Sequence, residues 1–269
     1  MINKSTERKI NLINEFLQKH FSPLKDNKVL FISLVVRRKW LNASEEEKVD
    51  ILRSTTYMIN KMYIHGPVNK WKYQLYQLFS PIIFDKHIIR NGNELSIAQL
   101  YSEHPEAFSV MMIPSKINLK HVVKKQYKNM TDVILRENFE RAVNLYGLLF
   151  YDPISMGQQV KVEKPYVIID IDKPKVKNPI DSIIKVCEGD YLLNALYKCI
   201  KANDGFIIST PSGGIHMVVY GGKCLEHIYK NREQLTHTFT ELTRAEAVEF
   251  LSKGNLIHLP FHEKVYYHK

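Results

Sequence analysis

"FIISTPSGGIHMVVY", Phe206 to Tyr220, places turn chemistry at Thr210 to His216 between two runs of apolar, largely β-branched residues. Branched side chains fit a pleated sheet, while Pro, Ser and paired glycines interrupt it, so the stretch predicts a β-hairpin with a polar tip. Two adjacent glycines let a backbone come close to whatever lies against it. The hairpin therefore fixes an antiparallel sheet and poses a question about what approaches Gly213 and Gly214.

Upstream, "PYVIIDIDKPK", Pro165 to Lys175, reads as a buried strand. Residues two apart on a strand share a face, so Asp170 and Asp172 project side by side while Ile169 and Ile171 enter the core. Between this strand and the hairpin, "PIDSIIKVCEGDYLLNALYKCIKAN" has helical periodicity. Earlier, "AFSVMMIP" reads as a short strand and "YKNMTDVILRENFERAVNLYGLLF" as a helix. Later, "LTHTFTEL" alternates as a strand with one exposed face, and "TRAEAVEFLSKG" reads as a helix with a Thr243–Glu246 capping box and a Gly254 stop. "NLIHLPFHEK" ends the pattern as a strand followed by a polar turn. The order predicts an α+β unit over residues 106–269.

Residues 1–105 have a different texture. "NLINEFLQKHF", "NASEEEKVDILRSTTYMINKMYI" with a Ser44 cap, and "PVNKWKYQLYQLFSPIIF" predict an α-rich region. Trp71, Tyr73, Tyr76 and Phe79 read as core packing rather than a base-stacking platform. The run "VVRRKW", Val35 to Trp40, reads as a solvated face beside a helix end.

Composition narrows the partners. The 269 residues carry 38 Lys and Arg against 28 Asp and Glu, a formal charge of +10, which favours a polyanion such as nucleic acid. Cys187, Cys199 and Cys224 show no metal-knuckle or disulfide-framework spacing and read as reduced intracellular thiols. With no apolar leader and no run of about 18 apolar residues, the sequence predicts a cytoplasmic protein without a membrane span.

Two parallel carboxylates repel unless a cation neutralises them, and hard oxygen ligands suit Mg²⁺ or Mn²⁺. One crossover later the chain returns through "PSGGIH", which brings His216 to the same sheet. There Ser212, His216 and the amides of Gly213 and Gly214 would face a phosphate.

These residues resemble the archaeo-eukaryotic primase superfamily, and within it the primase-polymerases of archaeal plasmids and viruses. The match rests on the D-x-D strand at Asp170 and Asp172 and on "SGGIH", and it covers roughly Ala107 to Lys269. The resemblance implies an RRM-like antiparallel catalytic sheet packed with a small α/β unit, and DNA primase and polymerase activity with two Mg²⁺ or Mn²⁺ ions. It further implies nucleoside triphosphate substrates, a single-stranded or primed DNA template, and a replicative helicase as partner or as part of the same replication protein. A third acid is expected on a later strand. No aspartate follows Asp204, so the choice lies among Glu241, Glu246 and Glu249, and Glu241 is favoured because "FTEL" alternates like a strand. The family's late segment carries an arginine where this chain has His258, leaving His262 or Lys264 to meet phosphate. Two other readings stand beside this one: a non-catalytic single-stranded nucleic-acid-binding replication protein and a D-x-D glycosyltransferase. The latter would require parallel strands ahead of the motif.

Overall fold

Ile10, Ile13, Phe16, Leu17 and Phe21 recur three or four residues apart and are buried along one stripe of the first helix, α1 (Lys4–Phe21). The computed structural model describes residues 4–25, 27–37, 56–90, 93–118, 120, 162–251, 255–261 and 267–268. After α1 come β1 (Lys28–Arg37), β2 (Thr56–Ile64), α2 (Trp71–Leu78), α3 (Pro81–Phe84), β3 (His87–Arg90), β4 (Asn93–Ser96) and α4 (Ile97–Glu103). They are followed by β5 (Phe108–Met112), β6 (Ile117–Asn118), β7 (Tyr166–Asp172), α5 (Pro179–Gly189), α6 (Tyr191–Ala202), β8 (Phe206–Ser209) and β9 (Ile215–Tyr220). The described chain closes with α7 (Gly222–Lys230), α8 (Arg232–Thr243), β10 (Ala247–Leu251), β11 (Ile257–His258) and β12 (Tyr267–His268). The protein is mixed α+β, and every strand pairing among the described residues is antiparallel. No described helix is long and apolar enough to cross a membrane.

The first sheet runs β11-β5-β1-β2, with β6 also on β1; the second runs β10-β7-β9-β8-β12. In the second sheet, period-2 alternation sorts residues onto two faces. Val167, Ile169 and Ile171 of β7 and Ile215, Met217 and Val219 of β9 join Ile183, Leu193, Leu196, Ile228 and Phe239 in a core that lies under α5 to α8. Tyr166, Ile168, Phe206, Ile208, Val218 and Tyr220 face the other way. They share a second core with β1, β5, α1 and α2, so one buried cluster takes residues from both sides of position 105.

Three sequence expectations are corrected. Among the described residues through Tyr101, strands stand beside the expected helices, and the helix expected to run to Ile64 is replaced at Thr56–Ile64 by β2, which pairs with β1 from Leu30↔Ile64 to Arg37↔Thr56. Strand β1 is buried on both faces from Val29 to Val36, so it shows neither helical nor alternating periodicity, and tertiary pairing decides it. The Ser44 cap and the helix expected at Tyr127–Phe150 lie outside the described residues. "LTHTFTEL" is helix, not strand: Leu235, Phe239 and Thr243 stand four apart and are buried, a stripe that the period-2 reading of Thr and His masked. "AVEFL", Ala247 to Leu251, is strand, not helix. β10 pairs with β7 from Ala247↔Asp172 to Leu251↔Ile168, with Val248 buried and Glu249 exposed. The cysteines are corrected too. Packing of α6 beside α7 brings Cys199 and Cys224 together as a disulfide across a separation of 25 residues, while Cys187 is a free, buried thiol.

Candidate active site

On the face of the second sheet turned toward β1 and β5, apolar residues end abruptly. Along β7, Tyr166 and Ile168 are buried, but Asp170 and Asp172, next on the same face, are only half-buried. On β9, Tyr220 and Val218 give way to His216 in the same manner. Register aligns the change across strands: Glu249 of β10 stands opposite Asp170, and Asp170 stands opposite His216. The result is a cleft of about 350 Å³ between the two sheets. Its walls include Asp170, Asp172, His216 and Glu249 from the second sheet and Arg37, Met111 and His258 from the first, with Thr210 and Ser212 at the hairpin tip.

Of the three candidate glutamates, the fold brings one to the cleft. Glu241 lies on the exposed surface of α8, its side chain 71% exposed and 3.6 Å from His237, one turn away on the same helix. It does not reach the cleft. Glu246 turns outward to Lys173 at 2.8 Å, and that contact holds its carboxyl below the ordinary value. Glu249 is the one of the three that lines the cleft with Asp170 and Asp172. His262 and Lys264 lie outside the described residues.

The hairpin tip answers its own question. Gly213 has a φ of +85°, with nothing within 4 Å of a would-be Cβ, so its role is a left-handed turn. At Gly214 a Cβ would stand 3.0 Å from the Ile171 carbonyl oxygen and 3.1 Å from Thr210 Oγ1. What approaches Gly214 is the neighbouring strand β7. Both amides are already engaged: Gly213 donates to the Thr210 carbonyl and Gly214 to Thr210 Oγ1, each at 3.0 Å. The amide cradle for a phosphate is thereby corrected to an internally closed turn, leaving the Ser212 and Thr210 hydroxyls, 3.0 Å apart, as the tip's polar groups toward the cleft.

His216 is buried, its Nε2 3.4 Å from Asp170 Oδ1. Its Nδ1 is buried without a hydrogen-bond partner in the protein. The ring stacks on His258 with centroids 5.8 Å apart. His258 is held at both nitrogens, Nδ1 lying 2.7 Å from Ser109 Oγ and Nε2 3.4 Å from Arg37 Nη1. A guanidinium only donates, so Nε2 accepts from Arg37 and Nδ1 carries the proton that is given to Ser109 Oγ. Burial pulls the Arg37 guanidinium below its ordinary value, and the nearby Asp170 carboxylate opposes that shift. Arg37, read from sequence as part of a solvated run, thus ends β1 at the cleft; Arg38, Lys39 and Trp40 lie outside the described residues.

The donor chemistry at the cleft suits a hard divalent cation, because all three acids offer carboxylate oxygens from adjacent strands. They are not drawn into one coordination group: among the described residues, no set of three or more His, Cys, Asp or Glu is close enough to hold an ion. Comparison with family models, curated proteins and solved structures finds no match to this chain.

Proposed function

We propose that the chain is a template-directed nucleotidyltransferase, a DNA primase-polymerase acting on nucleoside triphosphates in plasmid or virus replication. The observation that carries this reading is the convergence of Asp170, Asp172, His216 and Glu249 at one end of an antiparallel sheet. Two motifs far apart in sequence meet there, and a third acid joins them from the strand that pairs with the first. The order β10-β7-β9-β8, built as strand, helices, hairpin, helices and strand, further supports an RRM-like sheet.

Asp170, Asp172 and Glu249 would hold Mg²⁺ or Mn²⁺, which when bound activates a 3′-hydroxyl and neutralises charge on the transferred phosphate. The protein's own residues position. His216 offers its Nδ1 side to the nucleotide, and the Thr210–Ser212 hydroxyl pair, joined by one hydrogen bond, offers its remaining O–H to a phosphate oxygen. The surplus of Lys and Arg draws the DNA backbone, so template binding weakens with salt. A helicase partner belongs to the same proposal.

One observation favours a second reading, a non-catalytic single-stranded DNA-binding replication protein: the three acids are not preassembled around an ion. The glycosyltransferase reading has less support, because the pairings among the described residues are antiparallel where a nucleotide-sugar domain needs parallel strands.

The deciding experiment measures Mg²⁺- and Mn²⁺-dependent deoxynucleotide incorporation on a primed template by the wild type and by Asp170→Asn. Metal-dependent incorporation that the variant loses supports the polymerase. Salt-sensitive DNA binding without incorporation by the wild type supports the second reading, and equal incorporation by both proteins overturns the assignment of Asp170.

A further inference from the structure

We infer that the Cys199–Cys224 disulfide is an exchange site for small thiols, opened at Cys199 Sγ with Cys224 as the leaving thiolate, and that its state sets how firmly the hairpin of His216 is held. The inference does not depend on the nucleotidyltransferase reading. Cys199 stands in the last turn of α6 and Cys224 in the first turn of α7. Their bond spans a separation of 25 residues that contains β8, the turn at Thr210–Gly214 and β9. The hairpin that carries Thr210, Ser212 and His216 to the cleft is thus tied at its base.

The two halves of the disulfide are not equivalent. Cys199 is partly exposed and Cys224 is buried, so a thiolate arriving from solvent meets Cys199 first. Cys224 is the third residue of α7, at the positive end of that helix, whereas Cys199 lies near the negative end of α6. Negative charge is therefore better accommodated on the Cys224 sulfur. Asn203 strengthens the difference: its Nδ2 donates to Cys224 Sγ at 3.3 Å and to the Cys199 carbonyl oxygen at 3.0 Å. A thiol whose thiolate is stabilised leaves faster in exchange, which makes Asn203 a positioning residue for the leaving sulfur.

The backbone is shaped around that contact. Gly221 has a φ of +94°, and a Cβ there would stand 2.7 Å from Asn203 Oδ1, so a bare residue lets α7 begin against Asn203. The third thiol does not compete. Cys187 is fully buried in the same core, and burial pushes it up to about 12, with Asp190 and Glu188 adding to the shift, so it stays protonated. In the exchange, a small thiolate bonds to Cys199 Sγ as the Cys199–Cys224 bond breaks and its electron pair passes to Cys224 Sγ. A second small thiolate attacks the first at its sulfur and frees Cys199. Both cysteines end as protonated thiols, two small thiols having been oxidised to one small disulfide.

The test treats the whole folded chain with oxidised glutathione, then adds glutathione or dithiothreitol, and follows acid-quenched samples by alkylation in denaturant and mass spectrometry. Before reduction Cys187 alone should be alkylated; after reduction of the folded protein all three cysteines should be. Samples taken early with glutathione should carry the mixed disulfide on Cys199. Reduced protein should melt roughly 5–15 °C below oxidised protein, because the unfolded chain is no longer cross-linked. The double variant Cys199→Ser/Cys224→Ser should melt like reduced wild type and ignore dithiothreitol, while Cys187→Ser should keep the wild-type response. Asn203→Ala should slow reduction by about 3- to 10-fold. An asparagine with a merely structural role would give the opposite, since a loosened base exposes the sulfurs.

Three free thiols in wild type after oxidised glutathione overturn the site, as does a disulfide that yields to thiols only when the protein unfolds. A mixed disulfide on Cys224 overturns the assigned direction of attack, and equal melting temperatures of oxidised and reduced protein overturn the hold on the hairpin. These wild-type measurements need no substitution, so they decide the inference even if the double variant fails to fold. Loss of nucleotide incorporation bears on none of them, which keeps this inference and the proposed function separately testable.

Discussion

The two faces of the second sheet are made by the same strands and obey different rules. Toward α5 to α8, β7 and β9 offer only apolar side chains from end to end, all within one buried cluster. Toward the first sheet, the same strands are apolar at one end, where Tyr166, Ile168, Val218 and Tyr220 are covered. At the other end they carry Asp170, Asp172 and His216. Burial of unpaired charge is costly, so the sheets cannot close over that end, and the cleft is the consequence. A single alternating strand thus builds a core with one set of side chains and the wall of a polar cleft with the other.

The contrast breaks most sharply at the third acid. Glu249→Gln, which keeps shape but removes a charge from the cleft, should lower metal-dependent incorporation by about 100-fold or more with little change in melting temperature. Glu241→Gln on α8 should leave incorporation at the wild-type rate. A primer-extension assay of both variants compares them directly, and the reverse pattern would return the metal site to α8.

Next in size is a change on the helix-covered face. Leu196 is fully buried there, so Leu196→Ala should cost about 2–5 kcal/mol in a denaturant titration, while protein that remains folded keeps its incorporation rate. A smaller effect is expected at the hairpin tip, where the faces meet. Gly214→Ala forces a methyl against β7 and Thr210 and should lower stability by about 1–3 kcal/mol. If the melting temperature stays fixed and only nucleotide affinity falls, the bareness of Gly214 serves a ligand after all.

The smallest effect is at the exposed Lys173–Glu246 contact beyond the end of β7. Lys173 holds the Glu246 carboxyl below its ordinary value, so the pair's contribution is complete above the carboxylate range and fades as pH falls through the lowered value. For so exposed a pair, melting temperatures of wild type and Glu246→Gln should agree within error at pH 7 and at pH 5. A clear gap at pH 7 that persists at pH 5, above the carboxylate range, would make this solvated edge part of the fold's support.

Sequence pattern carried the second sheet further than the first. β7, β8, β9, α5 and α6 announce themselves through clean alternation or helical spacing, and that alternation alone placed Asp170, Asp172 and His216 on one sheet. It failed at α8 and β10, where short amphipathic stretches satisfy either period and the choice falls to whichever neighbour pairs with them. Glu249 was weighed and set aside for that reason. Arg37 was read within a solvated run and Ser109 was not singled out, because what places them is contact with His258, 221 and 149 positions away along the chain. A guanidinium at the end of a doubly buried strand looks, in one dimension, like any other surface cation.

Helix α1 bears on how the chain comes to be folded during its synthesis. Phe16 packs edge-on against Phe206 at 5.2 Å, and its ring also lies 6.3 Å from that of Phe21. The cover for this apolar stripe thus comes partly from a strand made about 190 residues later. At a ribosomal rate of about 5–20 residues per second, the stripe waits on the order of 10 to 40 s for its partner to emerge. Over that interval β1, β2 and α2 can cover part of the stripe, and the late arrival of β8 completes the cover.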